Sequence, residues 1–204
     1  MLPSGTMVDT LLLVDAYSLI YRAFHAIRQL TDPAGQPVNA VFGFTKMLRK
    51  LVADQRPTHL AVVFDLGAPR ERLAQLPSYK EQRPPTPPAL DAQLPVIREI
   101  LAAARTPIVE RAGQEADDLI ATLARQAEAD GARVLIASTD KDLLQLVSAA
   151  VRVLRPDRAG SIPVDPAAVE ARYGVRPDQM VDLLSLMGDS VDNIPGVPGV
   201  GEKT

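Results

Sequence analysis

Nine acidic residues could do chemistry together: Asp15, Asp65, Glu115, Asp117, Asp118, Asp140, Asp142, Asp189 and Asp192. They fall in five short segments, each beside a hydrophobic run. The chain has no cysteine and two histidines, His25 and His59, so a metal held here has oxygen ligands. Oxygen donors suit Mg²⁺ or Mn²⁺. Two such ions about 4 Å apart make a water nucleophilic and stabilise a leaving oxygen, which is the requirement for cutting a phosphodiester. Without a metal, converging carboxylates repel. Each segment alone has a plainer explanation. Glu115, Asp117 and Asp118 suit a helix start, as does Asp142, and Asp15 suits a turn. Five such segments taken together point instead to one site.

The elements that would position these acids are short apolar runs. Leu11-Leu12-Leu13-Val14 ends at Asp15, and Leu60-Ala61-Val62-Val63-Phe64 ends at Asp65. Val134-Leu135-Ile136-Ala137 is followed closely by Asp140. Their length and lack of alternation predict strands buried on both faces. Ile108-Val109 and Val151 to Leu154 predict further strands, the latter at an edge. Helices are predicted over Tyr17 to Ile27, Val41 to Asp54, Ala89 to Ala104 with a disturbance at Pro95, Glu115 to Ala129, Asp142 to Val147, Pro166 to Tyr173 and Pro177 to Met187. Strands alternating with helices imply an α/β fold with a mostly parallel central sheet. Such folds carry their sites outside the carboxyl ends of the strands, where Asp15, Asp65 and Asp140 sit. Residues 70–104, polar and basic and then rich in proline, read as an excursion from the core.

Bulk properties narrow the class. The 204 residues are 47% hydrophobic, enough for a real core, and the formal net charge is −3. A nucleic-acid partner therefore requires basic residues gathered locally. No apolar run reaches membrane-spanning length and no signal peptide is evident, so a cytoplasmic protein is expected.

Six motifs occur in a family order. They are Leu13-Val14-Asp15-Ala16-Tyr17-Ser18 with Tyr21-Arg22-Ala23-Phe24; Val62-Val63-Phe64-Asp65; Tyr79-Lys80-Glu81-Gln82-Arg83-Pro84-Pro85; Glu115-Ala116-Asp117-Asp118; Ser138-Thr139-Asp140-Lys141-Asp142; and Leu186 to Val197 around Gly188-Asp189-Ser190-Val191-Asp192-Asn193. From about Thr10 onward the chain resembles the 5′→3′ exonuclease (flap endonuclease) domain of bacterial DNA polymerase I and its stand-alone relatives. The resemblance implies a PIN-like core over 10–187, preceded by a loose leader at 1–9. It implies a helical arch at about 70–104 and the start of a helix-hairpin-helix element at 188–204. It also implies two or more Mg²⁺ or Mn²⁺ ions and cleavage of DNA 5′ flaps, 5′ ends and RNA primers in replication and repair. The expected partners are such DNA and a fused or separate polymerase. The protein is expected to be a bacterial, nucleoid-associated monomer. One metal group is drawn from Asp15, Asp65, Glu115, Asp117 and Asp118, the other from Asp140, Asp142, Asp189 and Asp192.

Basic and aromatic residues add contacts. If residues 79–83 are helical, Tyr79 and Arg83 lie one turn apart and Lys80 points at the metals. Lys80 and Arg83 would then stabilise charge on the scissile phosphate during in-line attack by water, and Tyr79 would stack on an unpaired base. Arg22 is a further phosphate contact. Phe24, His25 and His59 are read as structural, and Lys141 as pairing with a carboxylate. In the tail, Gly196, Gly199, Gly201 and Lys203 resemble a hairpin that grips duplex DNA without reading sequence, with K⁺ as an accompanying ion. The expected second helix of that element falls beyond Thr204, so an incomplete copy is expected.

Three positions depart from the family pattern: Ala16 and Thr139 stand where glycine is usual, and Glu71 where an aromatic precedes the arch arginine, Arg72. Two other readings compete: a DNA-binding fragment with little turnover, and a PIN-like ribonuclease. The arch motif and the Gly188-to-Asn193 segment argue against the ribonuclease.

Overall fold

The apolar runs and the acids that end them form the middle of one six-stranded sheet. The computed structural model describes residues 8–157 and 160–201. Most of the leader expected at 1–9 lies outside them. The strands are β1 (Thr10–Asp15), β2 (His59–Val63), β3 (Ile108–Val109), β4 (Arg133–Ala137), β5 (Val151–Pro156) and β6 (Ser161–Val164). Their order across the sheet is β3-β2-β1-β4-β5-β6. All neighbours are parallel except β5 and β6. Asp15 at the end of β1 pairs in register with Val63, and Val14 with Ala137. That register brings Asp15, Asp65 and Asp140 to the same sheet edge.

Alternation along the strands splits the core into two layers. Leu12, Val14, Val62 and Leu135 face α1 (Ala16–Ala26) and α2 (Asn39–Gln55), where Leu19, Ile20 and Phe44 are fully buried. Leu13, Val63, Ile136 and Val153 face the other way, onto α6 (Ala116–Ala129) and a 3-10 helix at Asp142–Leu146. Both faces are covered, which is why these strands lack a polar side in sequence. Among the described residues no helix is long and apolar enough to cross a membrane.

Three sequence expectations change here. Residues 89–104 form two pieces, α4 (Pro88–Asp91) and α5 (Leu94–Ala103), following α3 (Arg70–Gln75). Pro95 lies in the first turn of α5, where a missing N–H costs nothing. Leu90, Ile97 and Leu101 are fully buried in the core, so α4 and α5 are part of the core layer and the excursion is confined to the stretch before Pro88. The buried Gln93 fastens this piece, accepting from the Ala40 N–H at 2.8 Å and donating to Asn39 at 2.9 Å. Strand β6 was not expected. It contains Pro163, is largely exposed, and sits antiparallel at the sheet edge, the setting in which a strand proline is tolerated. The chain ends with α7 (Pro166–Tyr173), a 3-10 turn at Pro177–Gln179 and α8 (Met180–Met187).

Candidate metal centre

Asp15 leaves β1 and caps α1, accepting the Ser18 N–H at 3.1 Å. Its other oxygen accepts from the Ser138 hydroxyl at 2.7 Å. Ser138 is fully buried and its oxygen also accepts the Asp140 N–H at 3.0 Å. One hydroxyl thus ties the ends of β1 and β4 together. Ser18 and Thr139 add a second tie, hydroxyl to hydroxyl at 2.7 Å. Asp65 accepts the Ala116 N–H at 3.0 Å and so joins the end of β2 to the start of α6.

Asp15, Asp65, Glu115, Asp117 and Asp140 line one open cleft of about 1180 Å³, together with Arg22, Lys80 and Arg83. A smaller cavity of about 590 Å³ lies beside it, lined by Glu115, Asp117, Asp118, Asp142 and Asp192. Glu115 and Asp117 border both. Asp140 therefore stands with the first expected group of acids, because β4 is the direct neighbour of β1, while Asp118 turns to the flanking cavity.

Burial pushes the Asp117 carboxyl up to about 8, helped by the facing Asp140, Asp15 and Asp65. Asp15 is pushed up to about 6, by burial first and against its bonds from Ser138 and Ser18. Asp142 also reaches about 6, by burial and by Asp140. Among the described residues no lysine or arginine forms an ion pair with Asp117. Crowded, hard, oxygen-only donors with raised pKa values fit a divalent cation of the Mg²⁺ type. The acids are spread around the cleft: among the described residues no three converge into a ready cage. Cations are paired with four of them. Lys80 and Arg72 hold Glu115, Lys80 and Arg83 hold Asp192, Arg72 holds Asp118, and Lys141 holds Asp189 at 2.7 Å.

Comparison with known proteins gives the chain a family. The model of the 5′-3′ exonuclease N-terminal resolvase-like domain matches residues 10–174, and that of the 5′-3′ exonuclease C-terminal SAM fold matches 175–204. A 5′-3′ exonuclease of Aquifex aeolicus is 45% identical over 197 residues, covering 97% of this chain and 68% of that protein. The chain belongs to the 5′-3′ exonuclease family. DNA polymerase I of Bacillus caldotenax is 46% identical over 200 residues, 97% of this chain and 23% of that protein. The chain thus spans about a quarter of the length of its DNA polymerase I relatives. Among solved structures, the bacteriophage T5 5′-exonuclease with bound zinc is 25% identical with a TM-score of 0.77, covering 96% of this chain and 72% of that one. A T5 flap endonuclease complex with DNA and metal ions is similar at 25% identity and a TM-score of 0.76.

Family membership makes the basic segment before Pro88 the next point of interest. Residues 77–82 are consecutive turns rather than a helix, with Lys80 in the left-handed region at φ 58°. The reversal sends Lys80 to Glu115 and Arg83 to Asp192. Tyr79 does not face outward for a base to stack on. It is 8% exposed, and its hydroxyl reaches Glu115 at 3.0 Å and Asp192 at 3.1 Å. Burial between two carboxylates explains the choice: they need a donor, and the phenol supplies it. Arg22 is exposed on the cleft wall. His25 also lines the cleft, beside Tyr21.

The tail serves the chain itself first. Asp189 and Ile194 form a bridge, and a Cβ on Gly196 would meet the Met187 carbonyl carbon at 2.4 Å. The close approach that the Gly196 backbone makes is therefore to Met187 and Gly188, not to an open surface for DNA. Pro198-Gly199 forms a turn closed by Val200 N–H to Val197 at 3.0 Å, with Gly199 at φ 82°. Lys203 lies outside the described residues. The second family match starts at 175. Two of the three departures from the family pattern are accommodated: Ala16 is fully buried, and Thr139 supplies the tie to Ser18. Sequence reasoning missed Ser138, although a hydroxyl directly after an apolar strand was a usable signal. It gave Arg72 no role at the acids, and none could be read, since its partner Asp118 is 46 residues away.

Proposed function

We propose that this chain is the nuclease portion of a protein that hydrolyses phosphodiester bonds at 5′ flaps and 5′ ends of DNA, RNA primers included. One observation carries the reading. Five acids from the ends of β1, β2 and β4 and the start of α6 share a cleft with Lys80 and Arg83. Asp15, Asp65, Glu115, Asp117 and Asp140 would hold the first metal ion, with Asp142, Asp189 and Asp192 supplying the second. Mg²⁺ or Mn²⁺, two or more ions, suits these donors. Such ions supply a Lewis acid for phosphoryl oxygens and a lowered pKa for water. Lys80 and Arg83 bind the scissile phosphate and neutralise charge that develops on it. Arg22 holds a neighbouring phosphate. Ser138 fixes the Asp15 carboxylate against the Asp140 backbone. Water attacks in line, without a covalent enzyme intermediate.

The names of the relatives support a 5′-to-3′ polarity and a link to a DNA polymerase, fused or separate; on this reading the chain acts in replication and repair on bacterial nucleoid DNA. The protein is taken to act as a monomer. K⁺ at the turn around Gly199 and Gly201 would assist duplex binding. The test is a labelled panel of 5′-flap DNA, plain duplex and single-stranded RNA, each with Mg²⁺ or EDTA. Mg²⁺-dependent cutting of the flap is expected. Binding without cutting, or a preference for RNA, would overturn the reading.

A further inference from the structure

We propose that Arg72 is a positioning residue for the metal-binding acids, and that Asp118 is its anchor rather than a ligand of a metal ion. The inference rests on the reading of the cleft given above.

Arg72 comes from α3, far from α6 in sequence. Its two terminal nitrogens donate to the two oxygens of Asp118, each at 2.8 Å. Its third nitrogen, Nε, meets Glu115 at 3.1 Å. The planar guanidinium fork is thereby engaged on all three nitrogens by two carboxylates, a geometry lysine cannot reproduce. Asp118 is used further. The oxygen that takes one Arg72 nitrogen also accepts the Glu115 N–H, at 3.1 Å. Three of roughly four acceptor positions on this carboxylate are therefore committed within the protein.

Direction separates Asp118 from its neighbour. Asp117 and Glu115 line the main cleft, and Asp118 does not. Consecutive helix positions point about 100° apart: Asp117 reaches the main cleft, while Asp118 borders only the flanking cavity. Glu115, 5% exposed, is then gripped from two sides. Lys80 holds one oxygen, while Arg72 and Tyr79 hold the other. Arg72 thus fixes the side chain of Glu115 directly and its backbone through Asp118. It also ties the start of the basic segment to α6, with Lys80 and Arg83 making the ties at the other end.

The Arg72 and Asp118 side chains are each about a third exposed, 39% and 35%. A pair that open to water adds little to global stability. Its effect belongs in metal affinity, where partners that orient ligands count for roughly 10- to 100-fold.

The test is Mn²⁺ titration by calorimetry on the whole chain: wild type, Arg72→Met, Arg72→Lys, Asp118→Asn, the double variant Arg72→Met with Asp118→Asn, and Asp117→Asn. Melting curves confirm that each folds. Arg72→Met and Asp118→Asn should each weaken Mn²⁺ by roughly 10-fold at unchanged stoichiometry. The double variant should be no weaker than either single one. Arg72→Lys should fail to rescue, and Asp117→Asn should lose more than any of them. Three results would overturn the inference: Mn²⁺ binding that tightens or stays the same in Arg72→Met, as expected if Arg72 were only a repelling charge; full additivity in the double variant; or a lost ion in Asp118→Asn alone. A wild type that binds no Mn²⁺ would instead sink the reading of the cleft itself.

Discussion

Replacing Tyr79 by Phe removes one hydroxyl and keeps the ring. That hydroxyl sits 3.0 Å from Glu115 and 3.1 Å from Asp192, in a residue 8% exposed. Its single proton serves two carboxylates. Hydrogen bonds to charged groups contribute about 1.5–3 kcal/mol. Both acids keep cations, Glu115 from Lys80 and Arg72, Asp192 from Arg83. The lower end of the range therefore applies, about 1.5 kcal/mol of stability lost. For a domain of this size that is a fall in Tm of about 3–6 °C. The assay is urea unfolding in EDTA at 25 °C, supported by thermal melting. A loss below about 0.5 kcal/mol, the scale of an ordinary surface change, would refute the buried-donor role. A ring that stacked on a DNA base would give that null result, since Phe stacks as well as Tyr.

Ser138→Ala should cost about 1–3 kcal/mol, because the Asp140 N–H and one oxygen of the buried Asp15 lose their partner; urea unfolding checks it. Gly188→Ala should destabilise by more than about 1 kcal/mol, since Gly188 has φ 71° and a Cβ there would lie 2.3 Å from the Gly196 nitrogen; melting curves read it. The metal-free protein should lose stability as pH rises from about 4 to 8. Asp117 at about 8, and Asp15 and Asp142 at about 6, keep protons in the native state that the unfolded chain, at the ordinary 3.8, has released. Asp118 and Asp189, whose pKa values are lowered, act only below that window. Adding Mg²⁺ should abolish the decline. A Tm in EDTA that is flat or rising over this range would contradict it.

The acids at the strand ends were legible because buried parallel strands leave a plain mark: a short apolar run that stops at a charge. Asp15 and Asp65 follow directly from that pattern, and the register of β1 with β2 and β4 explains why they meet. Strand β6 left no such mark, because it is short, exposed and broken by Pro163. Helix α5 could have been read as core from the spacing of Leu94, Ile97 and Leu101, but the proline-rich stretch before it suggested an excursion. The orientation of Tyr79 was beyond reach, since it depends on Asp192, 113 residues away. The pairing of Asp118 with Arg72 was hidden for the same reason: at a helix start beside Glu115 and Asp117, nothing local distinguishes an anchor from a ligand.

The central claim is that the carboxylates of this cleft hold the metal that makes a 5′-flap strand cleavable. Single-turnover cleavage of a labelled 5′-flap DNA by wild type and Asp117→Asn, in Mg²⁺ and in EDTA, tests it most directly. Wild type should cut only with Mg²⁺, and Asp117→Asn should lose at least about 100-fold in rate, in line with removing a group that stabilises the transition state. Cutting in EDTA, or an Asp117→Asn variant as fast as wild type, would contradict the account.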